Sequence, residues 1–144
     1  MNRALIGKSY MQVATATASP GQLVLMLYDG AIRYLEGALR GFHIDDPAEC
    51  NSTINFNIQR AQAILDELNA ALNMGAGGEF AEKLRGLYTY LDRRLFESNL
   101  RKDTEGIEES ISRLATLRDA WREMLSGNTQ DLQEPINVGL AAVG

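Results

Sequence analysis

The chain has few of the residues that mark a disulfide-stabilised, metal-binding or membrane-spanning protein. Its 144 residues include one cysteine, one histidine and three prolines. Cys50 has no second cysteine to pair with, so no internal disulfide can form, and a lone thiol without a histidine partner is more often inert than nucleophilic. No run of about eighteen apolar residues occurs, which argues against insertion into a membrane.

Positive charge and targeting signals are also scarce. The formal net charge is −5 and no block rich in Lys and Arg occurs, which argues against nucleic acid as a partner. The stretch from Met1 to Val13 has no continuous hydrophobic region and no convincing cleavage site, so we expect no signal peptide. We therefore predict a cytosolic protein.

Patterns for catalysis, metal binding and cofactor binding are missing. A di-iron bundle needs Glu-x-x-His on two helices, but the only histidine is His43 and Arg40 stands three residues before it. No Cys-x-x-Cys-His signal supports haem attachment, and the glycines of 75–78 lack the surroundings of a phosphate-binding loop. Carboxylates fall mainly on polar helix faces. We predict no catalytic residues, no metal site and no cofactor, and hence no enzyme.

Apolar residues recur at steps of three and four in four segments, as in amphipathic helices. The segments run from Ser19 to about Phe42, from Asp46 to the glycine-rich break at 74–78, from Phe80 to Arg101-Lys102, and from Asp103 to Gly127. Short connections make consecutive helices antiparallel. We predict an all-α fold, an antiparallel up-down four-helix bundle over 19–127, with a flexible N-terminal arm at 1–18 and a C-terminal tail at 128–144.

The first helix has a clear start and a predicted core stripe. Ser19 can cap it, Pro20 suits the first turn, and Gln22 completes a capping box. The residues that we expect to face the core are Leu25, Tyr28, Ile32, Leu35, Leu39 and Phe42. Trp121 falls on the single apolar stripe of the fourth helix, so we assign it to the core as well.

A second apolar stripe lies on the other side of the first helix. It consists of Leu23, Leu27, Gly30, Tyr34, Gly37 and Gly41. Each glycine inside a helix costs about 1 kcal/mol relative to alanine, so three on one face indicate that another backbone approaches closely. That backbone belongs either to a bound partner or to another helix of the same chain, and both interpretations can hold over different lengths of the helix.

Several short motifs in the chain resemble those of the FliS family of flagellin secretion chaperones. The most specific is Leu23-x-x-x-Leu27-Tyr28-Asp29-Gly30-Ala31 beside the helix that Pro20 starts. The other matching residues are Tyr10, the run from Thr15 to Pro20, Ala61-Gln62, Leu68, Gly77-Gly78, Leu87-Tyr88-x-Tyr90, Asn99, Asp103 and Leu117-Arg118-x-Ala120-Trp121. The chain departs from the family pattern at Leu72-Asn73-Met74, where an aspartate commonly follows the leucine, and in the tail beyond Asp131.

The resemblance implies a cytosolic helical bundle that binds the disordered C-terminal segment of flagellin. Such a chaperone blocks premature filament assembly and delivers the subunit to the flagellar export apparatus. A segment that folds on binding can cover a long apolar surface of its partner. The alternative is a structural homodimer in which the extra apolar stripe forms the seam and no peptide client exists.

For the client-binding hypothesis we assign candidate residues on the first two helices. Leu23, Leu27 and Tyr34 would form the floor of a groove, and Gly30 and Gly37 would allow close approach. On the second helix Phe56, Ala63 and Ala70 form an off-core line. It is flanked by uncharged side chains that could hydrogen-bond to a client backbone, namely Asn55, Gln59 and Gln62. Ordinary packing against a neighbouring helix is the alternative for this line.

Two residues of the arm, Ile6 and Tyr10, have a different predicted role. We expect them to cover the groove when it is empty and to move aside for the client. A covering segment lowers the apparent affinity for the client by the fraction of molecules in which the groove is covered.

Overall fold

A computed structural model describes residues 19–127. This part of the chain forms four α-helices: α1 is Pro20–Gly41, α2 is Pro47–Ala71, α3 is Met74–Arg101 and α4 is Glu105–Ser126. The predicted arm at 1–18, which includes Ile6 and Tyr10, and the predicted tail at 128–144 lie outside the described residues.

Each helix packs mainly on two neighbours, so the four helices close into a bundle. Both α1 and α3 lie against α2 and α4. The contacts across a pair run in opposite chain directions. Asn99 donates to Asn55, whereas Gln62, later in α2, donates to the carbonyl oxygen of Asp92, earlier in α3. The predicted antiparallel four-helix bundle is confirmed.

Local signals fix the helix ends. The Ser19 hydroxyl accepts from the Gln22 backbone N–H at 3.3 Å, and the Gln22 side chain accepts from the Ser19 N–H at 3.1 Å, which is the predicted capping box. The Asp46 carboxylate accepts from the Glu49 N–H at 2.9 Å and so caps α2. Gly127 ends α4 with a φ of 68°, in the left-handed region that suits glycine.

The start of α3 differs from the prediction of a glycine-rich turn at 74–78. The Asn73 side chain accepts from the Ala76 N–H at 3.1 Å, and the Gly77 N–H bonds to the Asn73 carbonyl at 2.7 Å, so a helical turn forms there. The break is confined to Gly78, whose φ of 53° and ψ of −131° kink the helix. The asparagine cap offsets the low helix propensity of the glycines.

The core consists of buried apolar side chains from all four helices. On α1 the predicted core stripe is only partly right: Tyr28, Ile32 and Leu35 are buried as expected. Leu25, Leu39 and Phe42 are only half-buried, and Val24, Ala31 and Ala38 take the fully buried positions. The stripe shifts toward α2 because α1 packs so closely on that helix.

Two buried hydrogen bonds tie distant parts of the core together. The hydroxyl groups of Tyr28 and Tyr88 form a hydrogen bond of 2.5 Å between α1 and α3. The indole N–H of Trp121 donates to the carbonyl oxygen of Gly21 at 2.7 Å. Trp121 is therefore a core residue, as predicted, and the Tyr88 hydroxyl has a core partner. Both tyrosines belong to the bundle interior.

Candidate functional site

The glycine face of α1 packs against α2 of the same chain. A Cβ built on Gly37 would lie 2.6 Å from Asn57 Oδ1, and one built on Gly30 would lie 3.3 Å from Ile64 Cδ1. A Cβ built on Gly41 would lie 3.1 Å from Ile54 Cγ1. Of the two explanations for these glycines, the structure therefore shows the internal one: the close neighbour is α2, mainly through its side chains.

The larger residues of the same stripe are only partly covered. Leu23, Leu27 and Tyr34 are all half-buried. Leu27 and Tyr34 pack on the edge of the core, at the side of α1 that faces α2. Part of each side chain therefore remains available at the surface.

A depression of about 310 Å³ lies between α1 and α2 beside Tyr34. Its lining consists of Gly30, Arg33, Tyr34, Arg40 and Asn57. The glycine forms a low floor because it has no side chain. The depression includes two of the predicted client-binding residues, Gly30 and Tyr34. Its arginines and Asn57 were not predicted as site residues, because nothing in the spacing shows which polar residues two crossing helices bring together.

Two of the three predicted amide side chains on α2 hold α3. Asn99 donates to Asn55 at 2.9 Å, and Gln62 donates to the Asp92 carbonyl at 3.4 Å. Gln59, one helical turn after Asn55, is exposed. Asn55 and Gln62 therefore lie at the outer seam of α2 and α3, whereas the amide of Gln59 is left at the surface.

Beside this seam the bundle exposes three large apolar side chains. Phe56 is 53% exposed, Phe96 61% and Leu100 74%. Because Asn55 and Asn99 are hydrogen-bonded, their sequence neighbours Phe56 and Leu100 lie at the same level of the bundle. Phe96 lies one turn before Asn99 on α3. Residues Phe56, Phe96 and Leu100 are called the apolar patch below.

The line of residues predicted on α2 is exposed as a whole. Ala63 and Ala70 are open to solvent, like Phe56. The Arg60 guanidinium lies 5.4 Å from the centre of the Phe56 ring, so it covers part of one face of that ring. Phe96 and Leu100 were not predicted as site residues. The available signal was that both fall off the apolar stripe of α3, which runs through Leu84, Leu91 and Leu95.

The seams of α4 with its neighbours are built from charges. Asp29 on α1 pairs with Arg118 at 3.7 Å and with Arg122 at 3.9 Å. On the other side the Glu109 carboxylate accepts from Arg94 Nε at 2.9 Å and from the Tyr90 hydroxyl. Arg94, and then Tyr90, hold the pKa of Glu109 below its usual range. These side chains are engaged in holding helices together.

The described part of the chain has neither a cluster of metal-ligating side chains nor a helix that could cross a membrane. No group of three or more His, Cys, Asp and Glu side chains in residues 19–127 is placed to hold a metal ion. None of the helices α1 to α4 has the length and apolar character that crossing a membrane requires.

Comparison with known proteins agrees with the resemblance in the motifs. Residues 2–128 match the family described as "Flagellar protein FliS". The flagellar secretion chaperone FliS of Salmonella typhimurium is 37% identical over 122 residues, which cover 81% of this chain and 87% of the relative.

Two further relatives show the same extent of similarity. FliS of Bacillus subtilis is 32% identical, with 85% of this chain and 88% of the relative covered. FliS of Campylobacter jejuni is 33% identical, with 90% and 98% covered. The matched region contains the whole bundle. With its four antiparallel helices and these matches along most of its length, the chain belongs to the FliS family of flagellar secretion chaperones, which are not enzymes.

Proposed function

We propose that this protein binds the C-terminal segment of flagellin in the bacterial cytosol. By covering the segment it prevents premature polymerisation, and it assists delivery of the subunit to the flagellar type III export apparatus. Membership of a flagellar secretion chaperone family supports a client of flagellar export. A client that arrives unfolded has apolar side chains to bury, so the chaperone needs apolar surface outside its own core.

The apolar patch is the observation that carries this proposal. Three large side chains with more than half of their surface open to water are unfavourable for a free monomer and favourable for a protein that buries them against a partner. Gln59 lies one turn from Phe56 and Asn55, where its amide can hydrogen-bond with the backbone of a bound segment. Together they match an amphipathic helix or an extended stretch lying along α2 and α3.

The predicted α1 residues fit a second part of the same binding surface. Leu23, Leu27 and Tyr34 each keep some exposed area, and Tyr34 borders the depression between α1 and α2. A long client can contact both surfaces because a disordered segment wraps around its partner as it orders. On this proposal the arm residues Ile6 and Tyr10 cover the apolar surface of the free chaperone.

The experiment is a titration of the flagellin C-terminal segment into the chaperone by calorimetry. A triple variant with serine at Phe56, Phe96 and Leu100 is expected to bind at least tenfold more weakly, since truncating buried aromatic anchors commonly removes more than about 1–2 kcal/mol. Its thermal unfolding should change little, because the replaced side chains are exposed in the free protein. A normal affinity in a folded triple variant would contradict the proposal.

A matched control uses exposed polar positions elsewhere on α3. Serine at Glu82, Arg85 and Thr89 changes the same number of surface residues away from the apolar patch. This control is expected to bind like the wild type. Equal losses in both triple variants would show that general damage to the helix, rather than the apolar patch, weakens binding.

A further inference from the structure

The depression between α1 and α2 is lined by hydrogen-bond donors and positive charge. Arg33 and Arg40 both border it, whereas no carboxylate of residues 19–127 does. Neither guanidinium forms an ion pair with a carboxylate of residues 19–127. Glu36 lies between them in the sequence and lines a separate depression on the α4 side, which Arg33 also borders together with Asp29. The two cations are thus left facing an open cleft in a chain whose net charge is −5.

The neutral groups in the lining can also donate. Asn57 donates one amide N–H to the Thr53 carbonyl at 2.9 Å, and its second N–H remains able to donate to another acceptor. The Tyr34 hydroxyl has no hydrogen-bond partner among residues 19–127. Gly30 leaves the floor low, and α1 places Arg33 and Arg40 two turns apart, about 10 Å along the axis. Long side chains from both ends can therefore converge over the floor.

We propose that this depression binds a carboxylate of the client segment. Arginine suits the task because its planar guanidinium donates two parallel hydrogen bonds to a carboxylate, and such charge-assisted bonds are stronger than neutral ones. The overall negative charge of the chain repels acidic groups at long range, so an acidic group of the client is favoured only at a local cationic site. The bond would fix the register of a segment whose apolar contacts are individually unspecific.

This inference rests on the proposed function, and its test separates the two. The probe is the C-terminal segment of the flagellin from the same organism, titrated by calorimetry at several salt concentrations. The chaperone variant replaces Arg33 and Arg40 by glutamine, which keeps helix propensity and removes both charges. The matched control replaces Lys83 and Arg85, two exposed cations of α3 outside the depression, by glutamine. Circular dichroism checks that every variant remains folded.

The expected result is a loss of about tenfold in affinity for the Arg33→Gln, Arg40→Gln variant at low salt, shrinking as salt increases. The control variant should bind like the wild type. Peptides in which single Asp or Glu residues become Asn or Gln, and one with an amidated C-terminus, identify the carboxylate. The peptide that lacks it should bind the wild type about tenfold more weakly and should not distinguish the wild type from the arginine variant.

Other outcomes are equally informative. A wild-type protein that binds no segment would overturn the proposed function. Normal affinity in the arginine variant would overturn the carboxylate site and leave the proposed function standing. The site would also be overturned if a peptide with every carboxylate neutralised still bound the wild type more tightly than the arginine variant. The cations would then act without a carboxylate partner.

Discussion

Gly106 lies where α4 crosses α3 with no space for a side chain. A Cβ at this position would lie 2.3 Å from the Arg94 carbonyl oxygen and 2.6 Å from Ser98 Oγ. The Gly106 N–H donates to that same hydroxyl at 2.8 Å, and the Ser98 hydroxyl donates to Asp103 at 3.0 Å. One glycine thus sets the separation of two helices, which the spacing of apolar residues does not reveal.

We predict that Gly106→Ala lowers the free energy of unfolding by about 3 kcal/mol. The obstacle is a backbone carbonyl, which cannot move to another rotamer, so the helices must separate. Gly86→Ala is the matched control: Gly86 is exposed inside α3 and has nothing within 4 Å of a built Cβ. It should raise stability by about 0.5–1 kcal/mol through helix propensity. Urea unfolding measures both, and equal effects would refute the close crossing.

The tyrosine pair gives a second prediction for single residues. Tyr28 and Tyr88 are 1% and 2% exposed, and each hydroxyl is the partner of the other. Replacing either by phenylalanine leaves one buried hydroxyl unpaired, at a cost of about 1–3 kcal/mol. Replacing both should cost clearly less than the sum of the single changes. A double-mutant cycle by urea unfolding measures the difference, and simple additivity would contradict a direct bond.

The same pair makes stability depend on alkaline pH. Burial raises the pKa of Tyr28 from 10.0 to about 12, and burial likewise raises the pKa of Tyr88. The folded state therefore holds these protons more tightly than the unfolded state. Their contribution to stability is complete below pH 10 and is lost as pH rises toward 12.

We predict that the variant with phenylalanine at both positions loses stability less steeply than the wild type over this range. Urea unfolding at a series of pH values measures the two slopes. Other alkaline titrations are common to both proteins, so the difference in slope isolates the pair. Parallel slopes would show that these hydroxyls titrate normally in the folded state.

For the helices, the sequence predicts where most of them begin and end better than it predicts which helix packs against which. The caps at Ser19 and Asp46 and the stop at Gly127 are local interactions, so short motifs identify them. The start of α3 was missed because the asparagine cap at Asn73 outweighs the glycines that follow it. The glycine face of α1 was recognised, but its partner depends on which helix packs beside it, and that is a property of the whole bundle.

We predict that Gly37→Ala destabilises the wild type but stabilises a variant that lacks the Asn57 side chain, because α1 packs closely on α2. In the wild type the new Cβ meets Asn57 Oδ1 at 2.6 Å, and Asn57 is held there by its hydrogen bond to the Thr53 carbonyl, so the variant should be less stable. With Asn57→Ala the obstacle is removed, and the higher helix propensity of alanine should then raise stability by up to about 1 kcal/mol. Thermal and urea unfolding of the four proteins give the signs. Destabilisation of similar size in both backgrounds would refute the contact.

At the scale of the molecule, the fold could be predicted and the binding surface only partly. Four amphipathic stripes joined by short connections leave little choice of architecture, so the antiparallel bundle was predictable. Exposure depends on what each helix leaves uncovered after packing. Phe56 could be predicted because it lies off the α2 stripe. The exposure of Phe96 and Leu100 follows from the packing of the bundle, which leaves the outer face of α3 uncovered.

The size of the apolar patch argues against a homodimer seam formed by these three side chains alone. Given their exposed fractions of 53%, 61% and 74%, the three side chains offer about 100–150 Å² each. Their sum is well below the roughly 800 Å² that each partner of a stable complex commonly buries. The apolar patch by itself is therefore too small to hold two copies together. A long client can add the half-buried residues of α1 and reach a sufficient area.

We therefore predict a monomer in the absence of client and a one-to-one complex with the flagellin C-terminal segment. Light scattering over a wide range of protein concentrations, with and without the segment, measures both masses. The serine variant at Phe56, Phe96 and Leu100 serves as the control, because it should stay monomeric and form less complex at the same concentrations. A dimer that persists on dilution and ignores the segment would instead establish the homodimer, and its persistence in the serine variant would assign the seam to the extra apolar stripe of α1.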